Sequence, residues 1–229
     1  MTNIKQDESF TISSIKQDHI VFGGLISAAE AWDKENFRHY TSIARDSLST
    51  IYSGINFESN QNIIANIGYD ELINFINLIL DNNTENKEIL ITLSNIEKNS
   101  RYIIFSKILT DNVKKNNYSS KTENTYVTER KISVFTSIYD LKTLHNVWSG
   151  NITTVMSNSN TNTHQHDSNF LGDLLTTFVE DVIYGDYPKP PDIESLINKS
   201  FSDIGDNITN RPCNELGYLN CIKRSISRF

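Results

Sequence analysis

Long apolar runs are missing from this chain. No stretch approaches the roughly 18 consecutive apolar residues that a membrane-spanning helix requires, and the start Met1-Thr2-Asn3-Ile4-Lys5-Gln6-Asp7 lacks the apolar core of a signal peptide. The chain as given is expected to be soluble. Cysteine is scarce: Cys213 and Cys221 are the only two among 229 residues. Neither has a histidine at metal-site spacing, which argues against structural zinc. The pair has two readings, a short closed loop worth roughly 2–3 kcal/mol if oxidised, or two unrelated thiols in a C-terminal tail. Excess positive charge is also missing, with 21 Lys and Arg against 28 Asp and Glu and a net charge of -7. That balance argues against a broad basic surface for nucleic acid or anionic lipid. Glycine is sparse, and Gly23-Gly24 lacks the third glycine and the following Lys-Ser/Thr of a nucleotide loop. With no Gly-x-Ser-x-Gly elbow or His-Glu-x-x-His helix either, the chain is expected not to be an enzyme, and no cofactor is implied.

What is abundant is Asn and Ser, which fits an AT-rich genome, together with ten Tyr and eleven Phe that supply large apolar bodies for a core despite a mean hydropathy of -0.40. Residues 19–29 read as a strand bent at Gly23-Gly24. Tyr40, Ile43, Ala44, Leu48 and Ile51 form the stripe of an amphipathic helix that starts near Phe37 and ends near Gly54. Residues 62–67 read as a short strand, and helices follow over 69–81 and 87–98. Period-two patterning then predicts strands over 101–109, 129–139 and 146–155, with a turn at Asp140-Leu141-Lys142-Thr143. The polar join 111–126 is either a protruding hairpin or a disordered loop. Residues 157–169 are low-complexity and expected to be mobile. Helices over 170–183 and from Pro191-Asp192 onward close the chain.

The fold class predicted is α+β: a single mixed sheet of about four to five strands flanked by amphipathic helices, with C-terminal helices. The organisation expected is a flexible segment 1–18, one domain 19–210, and a tail 211–229 carrying Cys213 and Cys221.

At Arg101-Tyr102-Ile103-Ile104-Phe105-Ser106, then Tyr139-Asp140-Leu141-Lys142-Thr143 and Val147-Trp148-Ser149-Gly150, the chain resembles a group of bacterial envelope lipoproteins with the anticodon-binding-domain-like fold of the CsgG/PelC group. The resemblance covers about residues 19–152. It implies an assembly, accessory or scaffold module at the periplasmic face of a membrane. It further implies a lipid-bearing cysteine and leader outside this chain, with Met1 in their place, and partners that are envelope proteins or further copies of the chain. A CsgG-type pore needs extra hairpins of alternating apolar character; segments 111–126 and 157–169 are largely polar, so no pore is expected from this chain alone.

Candidate site residues are few. His164 and His166, beside Asp167 and Asp173, are weak candidates for a divalent metal. Glu30, Asp33, Glu35 and His39 have the residue types of acid–base chemistry, but at a helix entry they serve capping and solubility. Trp32, Tyr118, Tyr126, Tyr184 and Tyr187 lie in or beside predicted loops, as partner anchors or as locally packed rings. The alternative function is a small-ligand or glycan-binding domain with a cleft between sheet and helices.

Overall fold

A computed structural model describes residues 2–8, 10–51, 55, 57–81, 87–120, 123–163 and 187–208. The elements are β1 (Thr2–Gln6), α1 (Ile12–Asp18), β2 (Ile20–Ser27), α2 (Lys34–Ile51), β3 (Phe57–Glu58), α3 (Gln61–Ile67), α4 (Tyr69–Asp81), α5 (Lys87–Ile96), β4 (Tyr102–Ser119), β5 (Glu123–Asp140), β6 (His145–Thr163) and α6 (Ile193–Ile208). They build one six-stranded sheet in the order β1-β6-β5-β4-β2-β3. The strands β2, β3 and β4 run parallel, and β5, β6 and β1 continue antiparallel.

Alternation along β4 and β5 sends side chains to both faces, and both faces are covered. Tyr102, Ile104, Ile108, Ile132, Val134, Ile138 and Trp148 pack against α1, α2 and α6 through Ile15, Leu48, Leu196, Phe201 and Ile204. Ile103, Phe105 and Tyr139 pack on the other face against Leu72, Ile76, Leu90 and Leu93 of α4 and α5. Burial on two sides explains the continuous apolar sequence of β2 and the first half of β4. The register of β2 against β4 shifts between Phe22 and Gly24, where the glycines were expected to bend the strand. The turn after β5 is held by Asp140 Oδ1, which accepts from the backbone N–H of Lys142 at 2.8 Å and of Thr143 at 3.3 Å.

Several expectations are corrected. The sheet has six strands. Residues 2–18 are not a free arm: β1 pairs with β6, and Phe10 and Ile15 are buried, with the Phe10 ring edge-on to Tyr102 at 5.1 Å. Residues 62–67 are helical, because Ile63 and Ile67 lie one turn apart in α3 and Gly68 at φ +80° ends the turn. Residues 157–163, expected to be mobile, form the end of β6 and pair with Glu123–Glu129. The join 111–126 is a protruding hairpin. The proposed helix 170–183, residues 164–169, and the tail with Cys213 and Cys221 lie outside the described residues.

No single helix among the described residues is long and apolar enough to cross a membrane; α3 and α4 meet that test only as a pair bent by 107°.

Candidate functional site

The parallel partner β2 ends at Ser27, opposite Ile108, and β1 reaches only Asn151 of β6. Beyond those points β4, β5 and β6 continue alone as a three-stranded projection, Thr110–Ser119, Glu123–Ser133 and Thr153–Thr163. Its base lies under α6, where Thr154 Oγ1 meets Ser200 Oγ at 2.7 Å and Met156 packs on the core; beyond Met156 the strands run on for roughly 20 Å at about 3.3 Å per residue. A register shift between Ile108 and Thr110 marks its root.

An ion pair fixes that root. Arg130 of β5 donates from Nε to Asp111 Oδ1 of β4 at 2.8 Å, and from Nη1 to the Pro191 carbonyl at 3.3 Å. Both side chains are largely buried, and the Asp111 carboxylate raises the Arg130 pKa. Tyr40 sits nearby, its hydroxyl pKa pushed up by burial and then by Glu194 and Glu30.

The two faces of the projection differ. Across one runs the segment 187–191: the Tyr187 ring meets Tyr126 edge-on at 5.3 Å, Lys115 Nζ lies 5.3 Å above Tyr187, and Asn158 Nδ2 donates to the Lys189 carbonyl at 2.8 Å. The face bearing Asn112, Lys114, Tyr118, Val155, Ser157, Ser159 and Thr161 has no described element on it. Tyr118 is 61% and Val155 44% exposed.

The two edges differ as well. β4 carries Asp111, Lys114 and Lys115 along its free edge. β6 contains no Asp, Glu, Lys or Arg from Asn146 to Thr163. Edge strands are ordinarily guarded by charge, especially lysine, because unpaired N–H and C=O groups recruit another strand. From Ile152 to Thr163 the outer edge of β6 has no strand partner among the described residues.

The five aromatic candidates therefore separate. Tyr118 is exposed on the open face, with no described element over it. Tyr126 is buried against Tyr187, and Trp32 is half-buried on Tyr40, with ring centroids 4.6 Å apart. Tyr184, His164 and His166 lie outside the described residues. Among the described residues no group of three or more His, Cys, Asp or Glu is placed to hold a metal. Asp33 caps α2, accepting from the Asn36 N–H at 2.8 Å, and His39 Nε2 meets Glu194 Oε1 at 2.8 Å. With Glu30 beside Tyr40, these groups do not converge on one point as an acid–base set.

At the opposite end of the sheet a cleft of about 380 Å³ mixes Asp18 and Glu97 with Arg101 and Lys142. Glu97 is 6% exposed, its Oε1 has no hydrogen-bond partner among the described residues, and burial pushes its carboxyl pKa up.

No protein-family model matches the chain, and no curated protein matches it. Solved structures to which it is similar include a PelC dodecamer variant from Paraburkholderia phytofirmans, at 12% identity over 91% of this chain and 100% of that one, with a TM-score of 0.40. Lipoprotein GNA1162 from Neisseria meningitidis matches at 14% identity over 71% and 95%, TM-score 0.32. The C-terminal domain of LpoB from Salmonella enterica matches at 10% over 62% and 90%, TM-score 0.34. At such scores the fold assignment rests on this chain's own sheet and helices.

Proposed function

We propose that the protein is a non-enzymatic assembly module of the bacterial cell envelope, held at the periplasmic face of a membrane by a lipid anchor outside this chain, which associates by pairing β6 with β6 of a second copy. The observation that carries the reading is the uncharged edge of β6, which from Ile152 to Thr163 has no strand partner among the described residues, on a projection whose tip bears no described helix. Antiparallel pairing about a two-fold axis sets residue i of one strand opposite residue j of the other and j opposite i, so a charge near the axis would face its own copy. The Ser, Thr and Asn side chains of residues 157–163 carry no such cost. The β4 edge, with Lys114 and Lys115, does. The envelope setting is supported by the resemblance carried by Arg101-Tyr102, Asp140 and Val147-Trp148-Ser149-Gly150.

Amide hydrogen exchange tests the pairing at residue level. Exchange across Ile152–Asn162 is expected to slow as protein concentration rises, while Asn112–Asn117 of the β4 edge does not change. Concentration-independent rates on both edges would contradict the reading.

A further inference from the structure

Another cleft opens where the sheet is narrowest. β3 has only two residues, so the outer edge of β2 runs on without a strand beside it and is capped by side chains instead. Asn60 Nδ2 donates to the Gly23 carbonyl at 2.8 Å, and Thr41 Oγ1 accepts from the Leu25 N–H at 3.1 Å. With no strand between them, α2 and the α3–α4 corner leave a cleft of about 310 Å³, and the half-buried Ile64 and Tyr69 supply its accessible apolar wall.

The charge of this cleft runs against that of the molecule. On a chain with net charge -7, its lining contains Arg38, Arg45 and His39 and no carboxylate. Two other clefts of similar size mix signs, Lys5 with Asp7 in one and Lys142 with Asp18 in the other. The basic groups here are not equivalent. Arg45 gives Nε and Nη2 to Asp46, at 2.9 and 2.7 Å, and His39 faces Glu194. Arg38 has no carboxylate partner among the described residues; its guanidinium lies 5.9 Å from the Tyr69 ring centroid. A guanidinium that faces a ring at this distance and no carboxylate keeps its N–H donors available for a carboxylate or phosphate, which it can take in bidentate fashion.

We propose that this cleft binds a small organic oxyanion, a carboxylated or phosphorylated ligand of about monosaccharide size, with the anion on Arg38 and the ligand body against Ile64 and Tyr69. The volume lies at the lower end of small-molecule sites, room for one ring and its substituent. This site is independent of the β6 edge, on a different part of the sheet, so the failure of either reading leaves the other standing.

The test is titration calorimetry on the full chain at low salt with glucose 6-phosphate, glucuronate, inorganic phosphate and neutral glucose. The expected result is saturable binding of glucose 6-phosphate or glucuronate at least tenfold tighter than glucose and than inorganic phosphate, the better of the two identifying the anion. Arg38→Gln is expected to weaken that binding at least tenfold with an unchanged melting temperature, and Lys142→Gln, in the mixed-sign cleft, to leave it intact. Should Arg38→Gln not fold, Gln61→Trp, which narrows the cleft from an exposed position, is expected to give the same loss. No binding above that of glucose, equal binding of inorganic phosphate, or undiminished affinity in the Arg38 variant, or in the Gln61 variant if that one is used, overturns the proposal.

Discussion

Arg101 clasps Asp140 with two donors, Nε at 2.9 Å and Nη2 at 2.8 Å from the same carboxylate oxygen, while Nη1 reaches Asp18 at 2.8 Å. The other Asp140 oxygen holds the turn. Two separated phrases of sequence, Arg101-Tyr102 and Asp140-Leu141-Lys142-Thr143, are thus one structural unit, joined again by the Leu141 N–H to the Arg101 carbonyl at 2.7 Å. Asp140 is 3% exposed on its side chain, so removing its charge leaves a half-buried guanidinium short of a partner. Asp140→Asn is expected to cost roughly 2–3 kcal/mol, read as a lower urea midpoint at unchanged slope. Arg101→Met combined with Asp140→Asn is expected to cost less than the two single changes added together.

The bend of β2 leaves no space for a side chain. A Cβ on Gly23 would lie 2.2 Å from Phe105 Cε1, and one on Gly24, at φ +153°, 2.8 Å from Phe37 Cζ. Gly23→Ala is expected to destabilise by about 1–3 kcal/mol through overpacking. Phe105→Leu in the same chain is expected to recover part of that loss, since the ring is the atom group struck. Chemical denaturation of the parent and the two variants checks both statements.

Burial raises the Glu97 carboxyl pKa above its ordinary value. In the pH range between the two, the folded chain holds a proton the unfolded chain has released, so stability falls as pH rises through the ordinary glutamate range, about 4.3. Once the folded carboxyl has ionised the penalty is constant. Glu97→Gln is expected to melt higher than the parent at pH 8, by an amount that shrinks toward pH 4. Melting curves across that range check the sign, and parallel profiles for the two proteins would contradict it.

The parts legible in the sequence are those where local pattern and tertiary environment agree. The stripe of Leu72, Ile76 and Ile79 gives α4 its limits, and Gly23-Gly24 gives the β2 bulge. The end of β6 was illegible because its Ser, Thr and Asn side chains have little strand preference. Its conformation comes from the ladder with Glu123–Glu129, a partner distant in sequence. α1 is not legible because its buried anchor Ile15, with Phe10 just before the helix, is a sparse pattern, and the burial of Phe10 depends on Tyr102, distant in sequence. The absence of charge in residues 146–163 was visible; that this segment is a sheet edge follows only from β1 stopping at Asn151. Arg38 and Arg45 share a stripe of α2 one could count, but the cleft beside them depends on the shortness of β3.

The central claim is that β6 is an association edge, and light scattering across micromolar to near-millimolar protein measures it directly. The account predicts a mass rising from the 26.1 kDa of one chain to twice that value. The double change Ser159→Lys and Thr161→Lys, on the exposed face of that edge, is expected to hold the chain at monomer mass without lowering its melting temperature, because edge lysines block strand addition. A parent chain that stays monomeric throughout, or a lysine variant that associates as the parent does, contradicts it.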